Sequence, residues 1–263
     1  MDFNHIKYSV SGSVAVIILN RPDVLNSINT KLAKELQYAL SDSADNSNVR
    51  AILLTGSGKG FCAGQDLKEA IQSDGTPEPD LGNFVRENYN PIIKLLREIP
   101  KPVICAVNGT AAGAGANIAL ACDIVVASEN ASFIQAFSKI GLIPDSGGTY
   151  YLPRLVGLGK AASLMMLGEK LPANEAVELG LIYKVFPHHK LEEESINLAK
   201  HLAKQPTKAI GLIKKLLNKS LENTLDKQLK LEEEMQTLAG QTDDYKEGIK
   251  AFLEKRKPEF KGK

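Results

Sequence analysis

The chain has 263 residues, 43% of them hydrophobic and 24% charged, with a net charge of +1. That length can bury a substantial core, and the composition is that of an ordinary globular protein. A balance so near zero supplies no basic field for nucleic acid or an anionic membrane, so any anionic ligand must be met by local groups.

In chain order, "YSVSGSVAVIILNRP" predicts a hairpin: two β-rich runs flank Ser11-Gly12-Ser13, and Arg21-Pro22 stops the second. "NTKLAKELQYALSDSADN" places Leu32, Leu36 and Leu40 on one helical face, with Asn29 or Thr30 as cap. "VRAILLTG" predicts a buried strand, "GSGKGFCAGQD" a glycine-rich loop, and "DLKEAIQ" the opening of a helix. Residues 73–83, "SDGTPEPDLGN", are the most loop-like stretch and suit either a lid or a solvated insertion.

"FVRENYNPIIKLLREIP" then predicts a helix and "KPVICAVNG" a strand. "GAGANIALACD" predicts a helix that runs into the strand "IVVAS". "GKAASLMMLG" is a further helix, and "PANEAVELGLIYKVF" a helix returning to a strand. From about Leu191 the β signal stops and helical segments follow to Pro258. Strands alternating with helices predict an α/β core of mostly parallel strands. The helical tail has too few neighbours of its own to bury its apolar faces, so it should pack on the core or on another subunit.

Three cysteines, two of them in apolar runs, argue against a disulfide framework, and no CxxC or Cys/His spacing predicts a metal site. The first residues lack a basic-then-apolar signal pattern, and no apolar run reaches membrane-spanning length. These features together predict a cytoplasmic protein without membrane or nucleic-acid partners.

Two segments share one design of strand, small-residue turn and helix: "AILLTGSGKGFCAGQDLKEA" and "PVICAVNGTAAGAGANIAL". A helix start presents unpaired N–H groups, and small residues let a ligand approach them. Two such ends brought together can offer two donors to one oxygen, which is the arrangement that stabilises an enolate or a tetrahedral oxyanion. "GAGAN" lacks the last glycine of a dinucleotide fingerprint and has no acidic residue after the next strand. There is also no GxxxxGK[ST] loop, so a nucleotide cofactor is not expected. "KIGLIPDSGGT", by itself, is ordinary turn chemistry around Asp145.

"LNRPDVLNSI", "ILLTGSGKGFCAGQDL", "PKPVICAVNGTAAGAGANIALACDIVVAS", "FSKIGLIPDSGGTYYLPRLVG" and "ANEAVELGLIYKVF" occur in this order. Together they resemble the crotonase superfamily, the enoyl-CoA hydratase/isomerase family, over essentially the whole chain. The resemblance implies a spiral of ββα turns over residues 1–198 and a helical trimerisation region over 199–263. It implies acyl-CoA thioester substrates, no cofactor beyond the substrate's own coenzyme A, and a homo-oligomer, either a trimer or a dimer of trimers. By motif position, the thioester oxygen would be held by the backbone N–H groups of Gln65 and Ala114. Val24, Leu25, Ala63, Gly64, Asp66 and Leu67 would contact the coenzyme, and Gly113, Asn117 and Phe137 would line the acyl site.

The departures from the family pattern are as informative. Hydratases of the family carry two glutamates, at the positions that are Asn117 and Phe137 here. Neither side chain moves a proton at neutral pH. That leaves Asp145 as the carboxylate of the pocket motifs, where family isomerases also place an acidic residue. A carboxylate beside an apolar acyl pocket is desolvated and drawn toward acid/base work. "FCAGQDL", "PDLGN", "YNPIIKLL" and "AFSKIGLIPDSGGTYYLPR" further resemble the branch that isomerises ring-1,2-epoxyphenylacetyl-CoA to the seven-membered oxepin-CoA in phenylacetate degradation. The expectation is therefore an acyl-CoA isomerase of that kind. The alternatives are a Δ3,Δ2-enoyl-CoA isomerase or enoyl-CoA hydratase, and a non-catalytic acyl-CoA-binding member.

Overall fold

The computed structural model describes residues 3–69 and 80–263. Strands β1 (Ile6–Ser11) and β2 (Val14–Leu19) pair antiparallel across Gly12, whose φ of +61° suits a residue without Cβ. Asn29 caps helix α1 (Thr30–Asp45), its Oδ1 accepting from the Leu32 N–H at 2.9 Å. Leu32, Leu36 and Leu40 bury the helix face that their spacing predicts.

From here one unit repeats: a long strand enters the main sheet, a short strand enters a second sheet, and helix follows. The first unit is β3 (Ala51–Gly56) and β4 (Gly60–Cys62), followed in the described chain by α2 (Leu81–Phe84) and α3 (Asn90–Glu98). The second is β5 (Val103–Val107), β6 (Thr110–Ala112) and α4 (Ala114–Leu120). The third is β7 (Ile124–Ser128) and β8 (Ser132–Ile134), then α5 (Gly148–Val156) and α6 (Leu158–Leu167). β9 (Lys170–Pro172), α7 (Ala173–Glu178) and β10 (Lys184–Phe186) close the body.

The main sheet runs β1-β2-β3-β5-β7-β10 and is parallel except for its first pair. The second sheet runs β4-β6-β8-β9, with β9 antiparallel to β8. This is the α/β spiral of ββα turns that the resemblance implied. The second sheet is not legible in the sequence, because its three-residue strands are too short to show a period.

Both faces of the main sheet are covered. Val103, Cys105 and Val107 belong to the large interior cluster, whereas Ile104 and Ala106 pack on the other side with Leu191, Ala199 and Ala203 of α8 (Leu191–Ala203). A strand covered on both faces reads as an unbroken apolar run, as "VICAV" does. The division expected between residues 198 and 199 falls inside α8, and by its packing this helix goes with the sheet.

Helix α9 (Thr207–Ser220) is tied down by the buried Lys214, which meets Asp123 at 2.7 Å. Arg50 donates to Thr207 Oγ1 and to the carbonyls of Gln205 and Phe260. Helices α10 (Leu225–Gly240) and α11 (Asp243–Leu253) bury little: Met235 on one, Asp244 and Ala251 on the other.

Two expectations fall largely outside the described residues. Of the loop 73–83 only residues 80–83 are described; there Asp80 caps α2, accepting from the Asn83 N–H. Of the helix expected from "DLKEAIQ", the described part, up to Glu69, forms a turn.

Candidate active site

The loop after β4 is fixed by its neighbour "RPDVLN". Ala63 N–H donates to the Leu25 carbonyl, Ile28 N–H donates to Gly64, and Asp66 N–H donates to Ile28. Gln65 therefore forms a parallel bridge with Ile28. In an extended segment successive N–H groups alternate sides. With the Gly64 carbonyl and the Asp66 N–H both directed at Ile28, the Gln65 N–H points the other way, and it has no acceptor among the described residues.

The loop after β6 ends at Gly113, whose φ of +53° and ψ of −128° suit glycine. Gly113 N–H donates to the Ile134 carbonyl, and the next residue, Ala114, opens α4. Its N–H belongs to the first helical turn, where intrahelical acceptors are lacking. The two loops press on each other. A Cβ at Gly64 would lie 2.9 Å from the Ala112 carbonyl oxygen and 3.5 Å from the Ala114 nitrogen, and one at Gly115 would collide with the Cys62 carbonyl and thiol. Glycine at both positions is what lets the two free donors lie on adjoining backbones.

Asp145 hangs from the same helix. Asn117, one turn along α4 from Ala114, donates through Nδ2 to the Asp145 carbonyl at 2.8 Å. The same carbonyl accepts from the Gly148 N–H at 2.9 Å. Ser146 and Gly147 both take positive φ, so the turn is tight and projects the Asp145 side chain from a fixed base. Burial pushes the Asp145 carboxyl up to about 6, opposed by the Ser146 hydroxyl, which donates to Oδ1 at 2.9 Å. Among the described residues no cation pairs with Asp145.

Three residues expected at the ligand also make contacts within the protein. Asn117 is buried with both ends of its amide engaged, Nδ2 on Asp145 and Oδ1 accepting from Gln135. It braces the turn. The Asp66 carboxylate meets Arg21 at 2.8 Å and also accepts from the Lys68 N–H, so it fixes the first loop. Phe137 is buried with its ring 3.7 Å from where a Gly113 Cβ would stand, so it walls the second loop. Leu25 and Leu67 are exposed apolar side chains at the rim, and Val24 is half-buried beside them.

Tyr89 was not legible as a site residue. It is fully buried, and its hydroxyl has no hydrogen-bond partner among the described residues. Burial, then the charge of Asp145, pushes its phenol well above the usual range. The Cys62 thiol is pushed up to about 12 by burial, which removes it as a nucleophile at neutral pH. Among the described residues no cluster of His, Cys, Asp and Glu could hold a metal, and no helix is long and apolar enough to cross a membrane. A groove of about 1520 Å³ lies between the core and α9; it reaches Gly147 but none of Gln65, Ala114 and Asp145.

Two adjoining loops with free backbone donors, and a desolvated carboxylate slung from the second, match a known plan. The sequence profile described as enoyl-CoA hydratase/isomerase matches residues 9–263. The chain belongs to the enoyl-CoA hydratase/isomerase family. It is 50% identical over 254 residues to the Escherichia coli protein named 1,2-epoxyphenylacetyl-CoA isomerase, covering 97% of each chain. It is 45% identical to a Rhodobacter capsulatus protein named "Probable enoyl-CoA hydratase", covering 100% of both. The crystal structure of enoyl-CoA hydratase from Bacillus anthracis matches with a TM-score of 0.93 at 37% identity, over 99% of this chain and 100% of that one. Membership makes this chain an enzyme of the crotonase type acting on acyl-CoA thioesters. Both isomerases and hydratases stand among its relatives, so the reaction must be argued from the site.

Proposed function

We propose that this enzyme is an acyl-CoA isomerase that converts ring-1,2-epoxyphenylacetyl-CoA to oxepin-CoA in phenylacetate degradation. The observation that carries the reading is Asp145: one desolvated carboxylate, free of any cation among the described residues, beside the two loops. Hydration by this family uses two glutamates, and their positions hold Asn117 and Phe137, one a brace and the other a wall. The 50% identity to an isomerase of that name supports the same choice.

In this mechanism the Gln65 and Ala114 N–H groups donate to the thioester oxygen. Asp145 takes a proton from the carbon next to the carbonyl, and the electron pair moves to the oxygen as an enolate held by the two donors. In the ring epoxide, the carbon–carbon bond shared by the three- and six-membered rings opens, and oxygen stays in the enlarged ring. Asp145 returns its proton to a ring carbon, so substrate and product contain the same atoms. One carboxylate serves both transfers, whereas hydration needs a positioned water and a second acid/base group. Val24, Leu25 and residues 63–67 contact the pantetheine and adenine, no further cofactor takes part, and the working form is a homo-oligomer located in the cytoplasm.

The test is a substrate panel followed by absorbance and mass. The epoxide and a 3-enoyl-CoA should give products of unchanged mass, and crotonyl-CoA should give no product heavier by one water. Rapid hydration of crotonyl-CoA would overturn the isomerase reading. Tight binding of all three esters without turnover would make the chain a binding protein.

A further inference from the structure

The Tyr89 hydroxyl is a buried donor with no acceptor among the described residues. A buried hydroxyl without a partner is unfavourable, so its position needs an explanation. The segment that carries it is unusual as well. Val85–Tyr89 form a π-helical turn between α2 and α3, a local widening found often at functional sites. That turn is built in. The carbonyls of Glu87 and Asn88 are taken up by side chains of α1, Gln37 donating to both and Lys34 to Glu87. The widened turn thus directs Tyr89 inward, where its ring meets Phe84 edge-on at 5.3 Å.

One helical turn further on, Ile93 touches the Asp145 turn: a Cβ at Gly147 would stand 3.5 Å from its Cγ2. The helix start that bears Tyr89 is therefore packed against the catalytic turn. Asp145 acts electrostatically on the phenol, yet among the described residues neither it nor any other group accepts the phenol's hydrogen bond. A buried donor without an acceptor among the described residues, on a segment packed against the Asp145 turn, can meet an acceptor that a ligand brings.

We propose that the Tyr89 hydroxyl donates a hydrogen bond to an oxygen carried by the acyl group, and so selects cyclic ether or epoxide acyl groups over their hydrocarbon counterparts. This rests on the acyl-CoA site proposed above. The phenol stays protonated throughout, so it binds oxygen and moves no proton. A site with such a buried donor rejects a ligand lacking the acceptor, because the donor is then left unpaired.

The test compares binding of tetrahydropyran-2-ylacetyl-CoA and cyclohexylacetyl-CoA, two unreactive esters that differ by one ring oxygen. The wild-type protein should bind the ether about 10- to 100-fold more tightly, the scale of one buried hydrogen bond made or missed. Tyr89→Phe should lose that preference while holding the carbocycle as before. In wild-type protein labelled at tyrosine 13Cζ, the Tyr89 resonance should shift with the ether and stay with the carbocycle; this measurement stands even where the Phe variant fails to fold. Equal affinities in the wild type, an unmoved resonance, or a preference retained by Tyr89→Phe would overturn the proposal. Ether selectivity that vanishes in Tyr89→Phe, in an enzyme that leaves ring epoxides unconverted, would retain the Tyr89 site and reject the proposed reaction.

Discussion

Asp145 shows how one side chain can act as both a cost and a tool. Its carboxyl is raised by burial from 3.8 to about 6. Between those values the folded chain binds a proton that the unfolded chain has released, so this group's contribution to stability is fullest below pH 4 and is lost as pH rises through 6. As a base it must be ionised, so kcat/KM should climb through about pH 6 and level off above it. Asp145→Asn should lower isomerase turnover by roughly 10²–10⁴-fold and leave acyl-CoA binding intact. The same variant should be more stable at pH 8, by on the order of 1–3 kcal/mol in urea unfolding, with the gain fading at pH 4. Gly64 bears on the donors in a similar way. At φ +91° with the Ala112 carbonyl 2.9 Å from its missing Cβ, Gly64→Ala must displace the loop. Steady-state kinetics should show kcat/KM falling by roughly 10²–10³-fold, the scale of a lost oxyanion donor. Gly12→Ala, equally left-handed in open space, should cost stability without touching turnover.

At the scale of elements, ion pairs hold what periodicity could not predict. Asp123, just before β7, meets Arg97 of α3 at 3.1 Å and Lys214 of α9 at 2.7 Å, and accepts from the Val103 N–H. Lys214 is only 5% exposed, and burial pulls its ammonium below the usual range. Asp123→Ala would leave that cation buried and unpaired, at a cost of about 3–5 kcal/mol. Lys214→Met removes the cation itself and leaves Asp123 its Arg97 partner, so urea unfolding should find it far less damaging. The Arg21–Asp66 pair does for the first loop what the Asn117–Asp145 bond does for the turn: a polar contact between distant segments sets the backbone that faces the ligand.

For the whole molecule, the C-terminal helices are the unfinished part. Phe252 is 81% exposed and Leu253 75%, and Leu225 and Leu229 stand open on α10. Apolar side chains grouped in this way mark an association surface. We propose that α10 and α11 join copies of this chain. The double variant Phe252→Asp, Leu253→Asp should reduce the mass measured by light scattering from that of three or six chains to that of one. A wild-type protein of single-chain mass would remove the idea.

Much of this was legible in one dimension. The hairpin, the Asn29 cap, the leucine face of α1, the all-apolar β5 and the α/β class follow from local rules of spacing, capping and two-sided burial. Gln65 and Ala114 were named by motif position in the family resemblance, and Asp145 by the two glutamates that the resemblance leads one to expect and the sequence lacks. Tertiary structure alone decided how the remaining residues are used. Asn117 became a brace because Gln135 and Asp145 meet its two ends, and Asp66 a brace because Arg21 lies across from it. Tyr89 lies in a stretch that predicts a helix; only the packing of α1 and α3 buries its hydroxyl with no partner among the described residues. The short strands of the second sheet and the Asp123 network were hidden for one reason: their partners lie far along the chain, and no local rule carries information across that distance.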